Sequence, residues 1–103
     1  MRLIYVPCKN LGEAKKIGRA LIREKLVCCV NIIPRAYSIF PWAGKVEETF
    51  ESVLILKTLS SYNKVRRRIE QLHSYKVPLI SAIKLTNINP KYNRWAKSVQ
   101  KKN

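Results

Sequence analysis

Residues 37–47 read Tyr-Ser-Ile-Phe-Pro-Trp-Ala-Gly-Lys-Val-Glu, and this stretch decides the fold. It joins a predicted strand at about residues 36–42 to a second predicted strand, Phe50–Thr58, through a tight turn at Ala43-Gly44. The hairpin also carries aromatic rings and charged groups of both signs. This content predicts a hairpin that does more than connect two strands.

The sequence on both sides of the hairpin predicts further strands and three helices. Strands are predicted at residues 3–6, 27–33 (stopped by Pro34) and 79–85, from β-branched or continuous apolar runs. The three helices are predicted from apolar stripes with helical spacing. The stripes consist of Ala14, Ile17, Gly18, Leu21 and Ile22, then Tyr62, Val65, Ile69 and Leu72, then Tyr92, Trp95, Ala96 and Val99.

Capping residues mark where these helices begin and end. Asn10 is the predicted N-cap of the first helix, and Glu13 three residues later completes a capping signal. Ser60 or Ser61 caps the second helix, which ends near His73. The third helix begins at Asn89-Pro90, and the Lys101–Asn103 tail is expected to fray.

The order β-α-β-β-α-β-α predicts an α+β fold, in which two βαβ units share one antiparallel sheet in the split, ferredoxin-like arrangement. At 103 residues, the chain is expected to form one domain, residues 1–103. The two main helices of this arrangement cover one face of the sheet. Because the predicted strands are apolar at consecutive positions, the other face also needs covering, and we expect an oligomer.

The net charge of +15 comes from 21 Lys and Arg residues against 6 acids. Such a balance raises the question of anionic partners, including nucleic acid and phosphorylated metabolites. Arg66-Arg67-Arg68 is the single tight cluster, and no zinc-finger spacing, aromatic RNA-binding strand or basic arm accompanies it. For scattered charges we favour a solvated basic surface, and the sequence does not favour a nucleic-acid partner.

The location is expected to be cytoplasmic. No apolar run approaches the ~20 residues of a membrane span, and the first residues do not have the form of a signal peptide. The three cysteines, Cys8, Cys28 and Cys29, form no Cys-x-x-Cys pair and are interpreted as reduced core thiols. On a strand, Cys28 and Cys29 would face opposite sides and could not easily chelate one ion together.

Segments spread along nearly the whole chain carry a family resemblance. They are residues 23–31 (Arg-Glu-Lys-Leu-Val-Cys-Cys-Val-Asn), Ser38, Trp42-x-Gly44-Lys45-x-Glu47, Glu51, Lys57-Thr58, Leu72-His73-x-Tyr75-x-Val77-Pro78 and Tyr92-x-x-Trp95. In order and spacing they resemble the CutA divalent-ion tolerance family, whose cysteine matches Cys29. The resemblance implies a tightly packed homotrimer of ferredoxin-like subunits, a shape akin to the trimeric PII signalling proteins, and binding of divalent metals, notably copper.

The candidate metal ligands are His73, Glu47 and Glu51. His73 is the only histidine, and imidazole suits copper and zinc. The alternative is that His73 only ends a helix, beside its last carbonyls. Glu47 and Glu51 share one face of a regular strand and could hold a hard cation, or act as an acid/base pair. Their alternative is ion pairing with cations such as Lys45 and Lys57, which we expect to neutralise them for the most part.

A groove between subunits is the second candidate site. Its predicted lining is Tyr37, Trp42, Lys45, Lys57, Tyr75, Tyr92 and Trp95. These aromatics suit a small planar or charged ligand, but aromatics also build oligomer interfaces, which is the commoner role. Lys57 ends an apolar strand and could meet an anion in the groove, or could extend to solvent.

Three functions follow from these observations. The first is a cytoplasmic homotrimer that binds Cu²⁺ or another divalent cation, without an organic cofactor, and acts in metal tolerance. The second is a PII-like signalling scaffold that binds an anionic metabolite or a partner protein in the groove. The third is an enzyme that uses Glu47, Lys57 and His73. No nucleophile elbow, His-Glu-x-x-His or Gly-rich phosphate loop occurs in the sequence, so an enzyme is not expected.

Overall fold

The computed structural model describes residues 1–101, which form four strands and three helices in the predicted order. The strands are β1 (Arg2–Cys8), β2 (Cys29–Trp42), β3 (Lys45–Thr58) and β4 (Ser81–Lys84), and the helices are α1 (Leu11–Arg23), α2 (Tyr62–Leu72) and α3 (Pro90–Gln100). Residues 102 and 103, at the end of the tail predicted to fray, lie outside the described residues. None of the helices in residues 1–101 is long and apolar enough to cross a membrane.

One antiparallel sheet with the strand order β2-β3-β1-β4 organises the molecule. The two central strands, β3 and β1, pair with each other from Thr58 opposite Arg2 to Ser52 opposite Cys8. This order is the one that two interleaved βαβ units produce, and it confirms the predicted ferredoxin-like, α+β fold. Strand β2 therefore lies at one edge of the sheet and β4 at the other.

Strand β2 does not stop at Pro34, where the sequence predicts an end. It continues from Cys29 to Trp42, and its register against β3 shifts between Ile33 and Ala36. An edge strand tolerates proline at a bulge because the missing N–H costs no ladder bond there. The Pro34 carbonyl accepts a hydrogen bond of 2.8 Å from the Ser52 hydroxyl, which closes the bulge.

The hairpin is longer than predicted, because β3 begins at Lys45 rather than at Phe50. Residues Ala43 and Gly44 form the predicted turn, with φ values of 50° and 77°. Since both are positive, the turn has the twist that suits a two-residue hairpin. β1 pairs with β3 only as far as Ser52, so residues 36–51 extend beyond the sheet and form what we call the distal hairpin. In contrast, β4 is shorter than the predicted strand 79–85.

The core lies between the sheet and helices α1 and α2. It contains alternate residues of the two central strands and the inner stripes of both helices, and every member is fully buried. These residues are Ile4, Val6, Leu54 and Leu56 from the strands and Ala14, Ile17, Leu21, Val65 and Ile69 from the helices. Asn10 caps α1 as predicted, because its side-chain oxygen accepts from the Glu13 N–H at 2.9 Å.

The opposite face of the sheet and the distal hairpin expose large apolar side chains. Tyr5 is 41% exposed, Ile33 48% and Ile83 63% on this face. The distal hairpin exposes Trp42 and Val46 to similar or greater degrees. This is the uncovered surface that the sequence predicted from its strands apolar on both faces.

Candidate functional site

A cavity of about 670 Å³ lies where the distal hairpin leaves the sheet. From the hairpin it is lined chiefly by Ser38, Phe40, Trp42, Glu47, Thr49 and Glu51. From the rest of the chain it is lined by Pro7, Tyr75, Lys76, Val77 and Leu79. The walls are therefore mainly apolar and aromatic, with two carboxylates and one lysine among them. A concave apolar site with a few polar groups is the usual form of a small-ligand or ion site.

Glu47 and Glu51 both line this cavity, as their predicted shared face requires. The ladder is regular from Glu51 opposite Ala36 to Glu47 opposite Phe40, so no bulge separates them. Neither carboxylate lies within 4.0 Å of a Lys or Arg nitrogen in the part of the chain that the structure describes. The expected neutralisation by lysine is therefore not observed. Four residues of strand span ~13 Å, so a cation held by one would take its other ligands elsewhere.

Tyr75 connects Glu51 to the buried interior. Its hydroxyl donates to Glu51 Oε2 at 2.6 Å, and its backbone N–H donates to His73 Nδ1 at 3.0 Å. Burial raises the pKa of Tyr75, and the bond to the Glu51 carboxylate raises it further. The phenol therefore remains a donor at neutral pH and holds the Glu51 carboxylate at the cavity wall.

His73 lies behind Tyr75 and does not line the cavity. Its side chain is fully buried, and its ring packs against the Tyr75 ring, with centres 4.8 Å apart and planes tilted by 50°. Nε2 lies 2.8 Å from the Pro7 carbonyl oxygen, so Nε2 carries the proton and donates, while Nδ1 accepts from Tyr75. Both ring nitrogens are thus used by the backbone. His73 is also the C-cap of α2, the structural position that its place in the sequence suggested.

Glu13 is the acid beside His73, and the sequence did not mark it as a site residue. Its two carboxylate oxygens accept from the backbone N–H groups of Lys9 at 3.0 Å and Ser74 at 2.9 Å. Burial by itself would raise the pKa of Glu13, but the bonds from Ser74 and Lys9 and the nearby His73 outweigh it and lower the pKa. The available signal was the capping position of Glu13, which predicts a contact with the backbone ahead of the helix.

Cys8, Glu13 and His73 bring their ligand atoms within 4.8 Å of one another. A thiol, a carboxylate and an imidazole would suit zinc or a similar ion. However, the carboxylate oxygens and ring nitrogens are already hydrogen-bonded, and Cys8 is fully buried. Burial, with the charges of Glu13 and Glu51, raises the pKa of Cys8 to about 12. The cluster is closed and its thiol is protonated at neutral pH, so it fits a metal less well than the open carboxylates of the cavity.

Lys57, Tyr92 and Trp95 lie away from the cavity, with the adjacent cysteines. The Lys57 Nζ atom lies 4.0 Å from Cys29 Sγ and 5.7 Å from the centre of the Tyr92 ring. The Tyr92 hydroxyl is buried and has no hydrogen bond of ordinary geometry to the residues that the structure describes. Burial raises the pKa of Tyr92, and the Cys28 and Cys29 thiols beside it raise it further. Cys28 precedes β2, and both thiols approach Tyr92, so they do not face opposite sides of a strand.

Two other predicted groove residues belong to different surfaces of the hairpin. Tyr37 lies on the hairpin face opposite Glu47, donates to Glu48 Oε1 at 2.8 Å and packs edge-on against Phe50, with ring centres 5.1 Å apart. Lys45 is exposed beside the turn. Of the predicted groove residues, the structure therefore brings only Trp42 and Tyr75 to the cavity. It adds Val77 and Leu79, neither of which was a predicted groove residue.

Comparisons with known proteins give one consistent result. The model of the "CutA1 divalent ion tolerance protein" family matches residues 2–99. A protein CutA homolog of Xenopus laevis is 39% identical over 92 residues, which are 88% of this chain and 61% of that protein. The divalent-cation tolerance protein CutA of Thermus thermophilus is 39% identical over 94 residues, covering 90% of this chain and 89% of that one. The chain spans only 53–61% of the length of several of the curated relatives.

Solved structures give the same fold. CutA1 of Pyrococcus horikoshii has a TM-score of 0.93 at 31% identity and covers 99% of this chain and 100% of its own. The structure described as the periplasmic divalent cation tolerance protein CutA of Archaeoglobus fulgidus has a TM-score of 0.91 at 34% identity, with 98% and 100% covered. The backbone that positions the cavity is therefore shared with these proteins.

Proposed function

We propose that this chain, which belongs to the CutA1 divalent ion tolerance family, is a homotrimeric protein that binds divalent cations in the cavity under its distal hairpin and acts in metal-ion tolerance. The proposed location is the cytoplasm, although relatives include chloroplastic and periplasmic proteins by name. The family description concerns tolerance to divalent ions, which agrees with a binding role rather than an enzymatic one.

The observation that carries the proposal is the state of Glu47 and Glu51. The protein has a net charge of +15, and on its helices Glu24 and Glu70 are each paired with an arginine. Among residues 1–101, the two cavity carboxylates have no such cation. Anionic oxygens left without a counter-charge beside a concave surface favour a cation as their ligand.

His73 remains part of the proposed metal set for Cu²⁺, which prefers imidazole. To ligate an ion through Nδ1, the His73 ring would have to give up the hydrogen bond that Nδ1 now accepts from the Tyr75 backbone N–H. Copper at His73 would therefore be accompanied by movement of the segment around Tyr75. A hard ion such as Mn²⁺ needs only carboxylate, carbonyl or water oxygens and requires no such change.

Trimer assembly is proposed from the exposed apolar surface. Tyr5 and Ile83 are 41% and 63% exposed on one side of a sheet whose other side is covered by α1 and α2. A single chain also supplies only part of a coordination shell, because Glu47 and Glu51 are far apart along β3. A neighbouring subunit would cover the apolar face and add ligands to the cavity.

Calorimetric titration of reduced protein with Cu²⁺ and, separately, Mn²⁺ tests the proposal. We expect saturable binding at a fixed ratio per trimer, which Glu47→Gln or Glu51→Gln weakens at least ~10-fold. His73→Ala should abolish tight Cu²⁺ binding and spare Mn²⁺. Glu48→Gln is the matched control, since Glu48 is the next residue on β3 but faces the opposite side of the hairpin and binds Tyr37. Non-saturating binding, or equal loss in the control, would reject the cavity as the site.

The PII-like scaffold and the enzyme receive less support. The lysine proposed to meet an anion, Lys57, is directed towards Cys29 and Tyr92 instead of the cavity. Lys57 is also distant from Glu47, which lies ten residues before it on β3. An enzyme that used Glu47, Lys57 and His73 together would need these groups at one point.

A further inference from the structure

The exposed side of helices α1 and α2, which we call the helical face, gathers charges that look scattered in the sequence. Residues 10–24 and 61–73 contain eight Lys or Arg and three Glu. Six of the basic residues are exposed and make no ion pair within the described part of the chain. They are Lys15, Lys16, Arg19, Arg23, Lys64 and Arg67.

The three Glu residues of this face are buried or paired with arginine, so they leave little negative charge to repel an anionic partner. Glu13, in the first turn of α1, is buried. Glu24 lies 2.8 Å from the Arg68 guanidinium, and Glu70 lies 2.6 Å from that of Arg66. The remaining acids, residues 47, 48 and 51, are all on the distal hairpin. The acids of the helical face are thus buried or paired with arginine, and the other three acids lie away from it on the distal hairpin.

We propose that the helical face binds the phosphate backbone of double-stranded nucleic acid, without reading its sequence. A duplex carries about one charge per 1.7 Å of its axis, and each cation that meets a phosphate releases bound counter-ions. Along α1, the rise of ~1.5 Å per residue places the Arg19 and Arg23 side chains ~6 Å apart on one side of the helix. Arginine is the side chain best suited to phosphate, since its guanidinium makes paired hydrogen bonds.

The composition of the face argues against the other polyanions. A single strand is normally held by stacking of its bases on aromatic rings, and the one aromatic residue of α1 and α2, Tyr62, is half-buried with its hydroxyl bound to the Ile80 carbonyl. An anionic membrane is normally entered by apolar side chains. The face offers only Leu11 and Ile22, at 37% and 44% exposure.

This surface is separate from the proposed metal site and from the proposed trimer contacts. The cavity opens beneath the distal hairpin, and the apolar surface that an oligomer would cover is on the side of the sheet away from α1 and α2. The helical faces of a trimer would therefore remain outside and available. The inference holds or fails independently of metal binding.

Fluorescence anisotropy of a labelled 24-base-pair DNA of arbitrary sequence, titrated with the full chain at several salt concentrations, tests this inference. The variant Lys16→Gln/Arg19→Gln/Arg23→Gln removes three exposed cations from α1. The matched control Lys91→Gln/Arg94→Gln/Lys97→Gln removes three exposed cations from α3 and gives the same net charge. Circular dichroism checks that both variants are folded.

The unaltered protein should bind with a Kd of about 1–100 μM near physiological salt, as non-specific binders do. Loss of three contacts should reduce the slope of log K against log [salt] by ~2.7 and weaken binding at 0.1 M salt ~500-fold. The α3 control should keep most of the affinity and slope. Equal losses in both variants would show that total charge alone matters and would overturn the inference. So would tighter binding to phosphatidylserine vesicles through the α1 residues, or to the single strand, than to the duplex.

Discussion

Replacing the Glu13 carboxylate by an amide, Glu13→Gln, should destabilise the fold strongly at neutral pH and little in acid. Glu13 is 8% exposed and accepts from two backbone N–H groups, one before α1 and one after α2. Glutamine keeps one accepting oxygen but turns an NH₂ group towards the other donor. One charge-assisted bond is then lost and one N–H is left without a partner. Together these changes should cost ~2–4 kcal/mol.

The pH dependence follows from the lowered pKa of Glu13. A group whose pKa is lower in the folded than in the unfolded chain stabilises the fold fully above its unfolded pKa, near 4.5, and loses that contribution as pH falls through the folded pKa. The difference in unfolding free energy between the unaltered protein and Glu13→Gln should therefore be largest at pH 7. It should shrink steadily at pH values below 4.5, because the carboxyl group of the unaltered protein also becomes neutral.

Urea unfolding followed by circular dichroism at pH 7, 4.5 and 3.5 measures this difference. Protein concentration must be held fixed, since dissociation of an oligomer would contribute to the transition. Glu70→Gln is the control, because it removes the same charge from an exposed i,i+4 pair with Arg66 and should cost at most ~0.5 kcal/mol. A Glu13→Gln loss below 1 kcal/mol at pH 7, or one that stays constant with pH, would refute the charge-based account.

Three further outcomes follow from packing and burial. Trp42→Ala should lower either the mass of the protein measured by light scattering or the midpoint of its thermal unfolding, because large aromatics dominate interface energies. A trimer unchanged in both mass and midpoint would remove Trp42 from the interface. In native protein at pH 8, a thiol reagent should modify Cys29 well before the buried Cys8, whose pKa is raised to about 12, and equal rates would contradict this burial. Gly18→Ala should cost ~1–2 kcal/mol in urea unfolding, since a Cβ there would lie 2.9 Å from a neighbouring side chain, whereas Gly12→Ala should be nearly neutral.

The order of strands and helices could be predicted because local rules and packing agree. Apolar stripes, the Asn10 cap and the Ala43-Gly44 turn all correspond to elements of the structure. Strand bounds were predicted less well, most clearly at Pro34, where the local rule predicts an end and the edge position of β2 permits continuation through a bulge. Whether a strand lies at an edge is a property of the whole sheet, and the residues around Pro34 do not predict it.

The site was less predictable than the fold, for a related reason. Glu47 and Glu51 could be assigned to one face because strand periodicity is local. Lys57 has the same parity on the same strand, yet the cavity ends before it, at the boundary of the distal hairpin. Cys8 and Glu13 approach His73 from the other end of the chain, through the meeting of β1, α1 and the end of α2. Such contacts depend on tertiary structure and leave no spacing in the sequence.

The chain of contacts from His73 through Tyr75 to Glu51 means that loss of Cu²⁺ binding in His73→Ala has two explanations. The ring could be a ligand, or it could hold the segment whose phenol positions Glu51. Tyr75→Phe distinguishes the two explanations. It removes the hydrogen bond from the phenol to Glu51 but keeps the hydrogen bond from the backbone N–H to His73. If His73 is a ligand, Cu²⁺ affinity should change less than ~3-fold in Tyr75→Phe and disappear in His73→Ala. If both variants lose binding equally, and lose Mn²⁺ as well, then His73 acts only through Tyr75, and the carboxylates of the distal hairpin are the ligands.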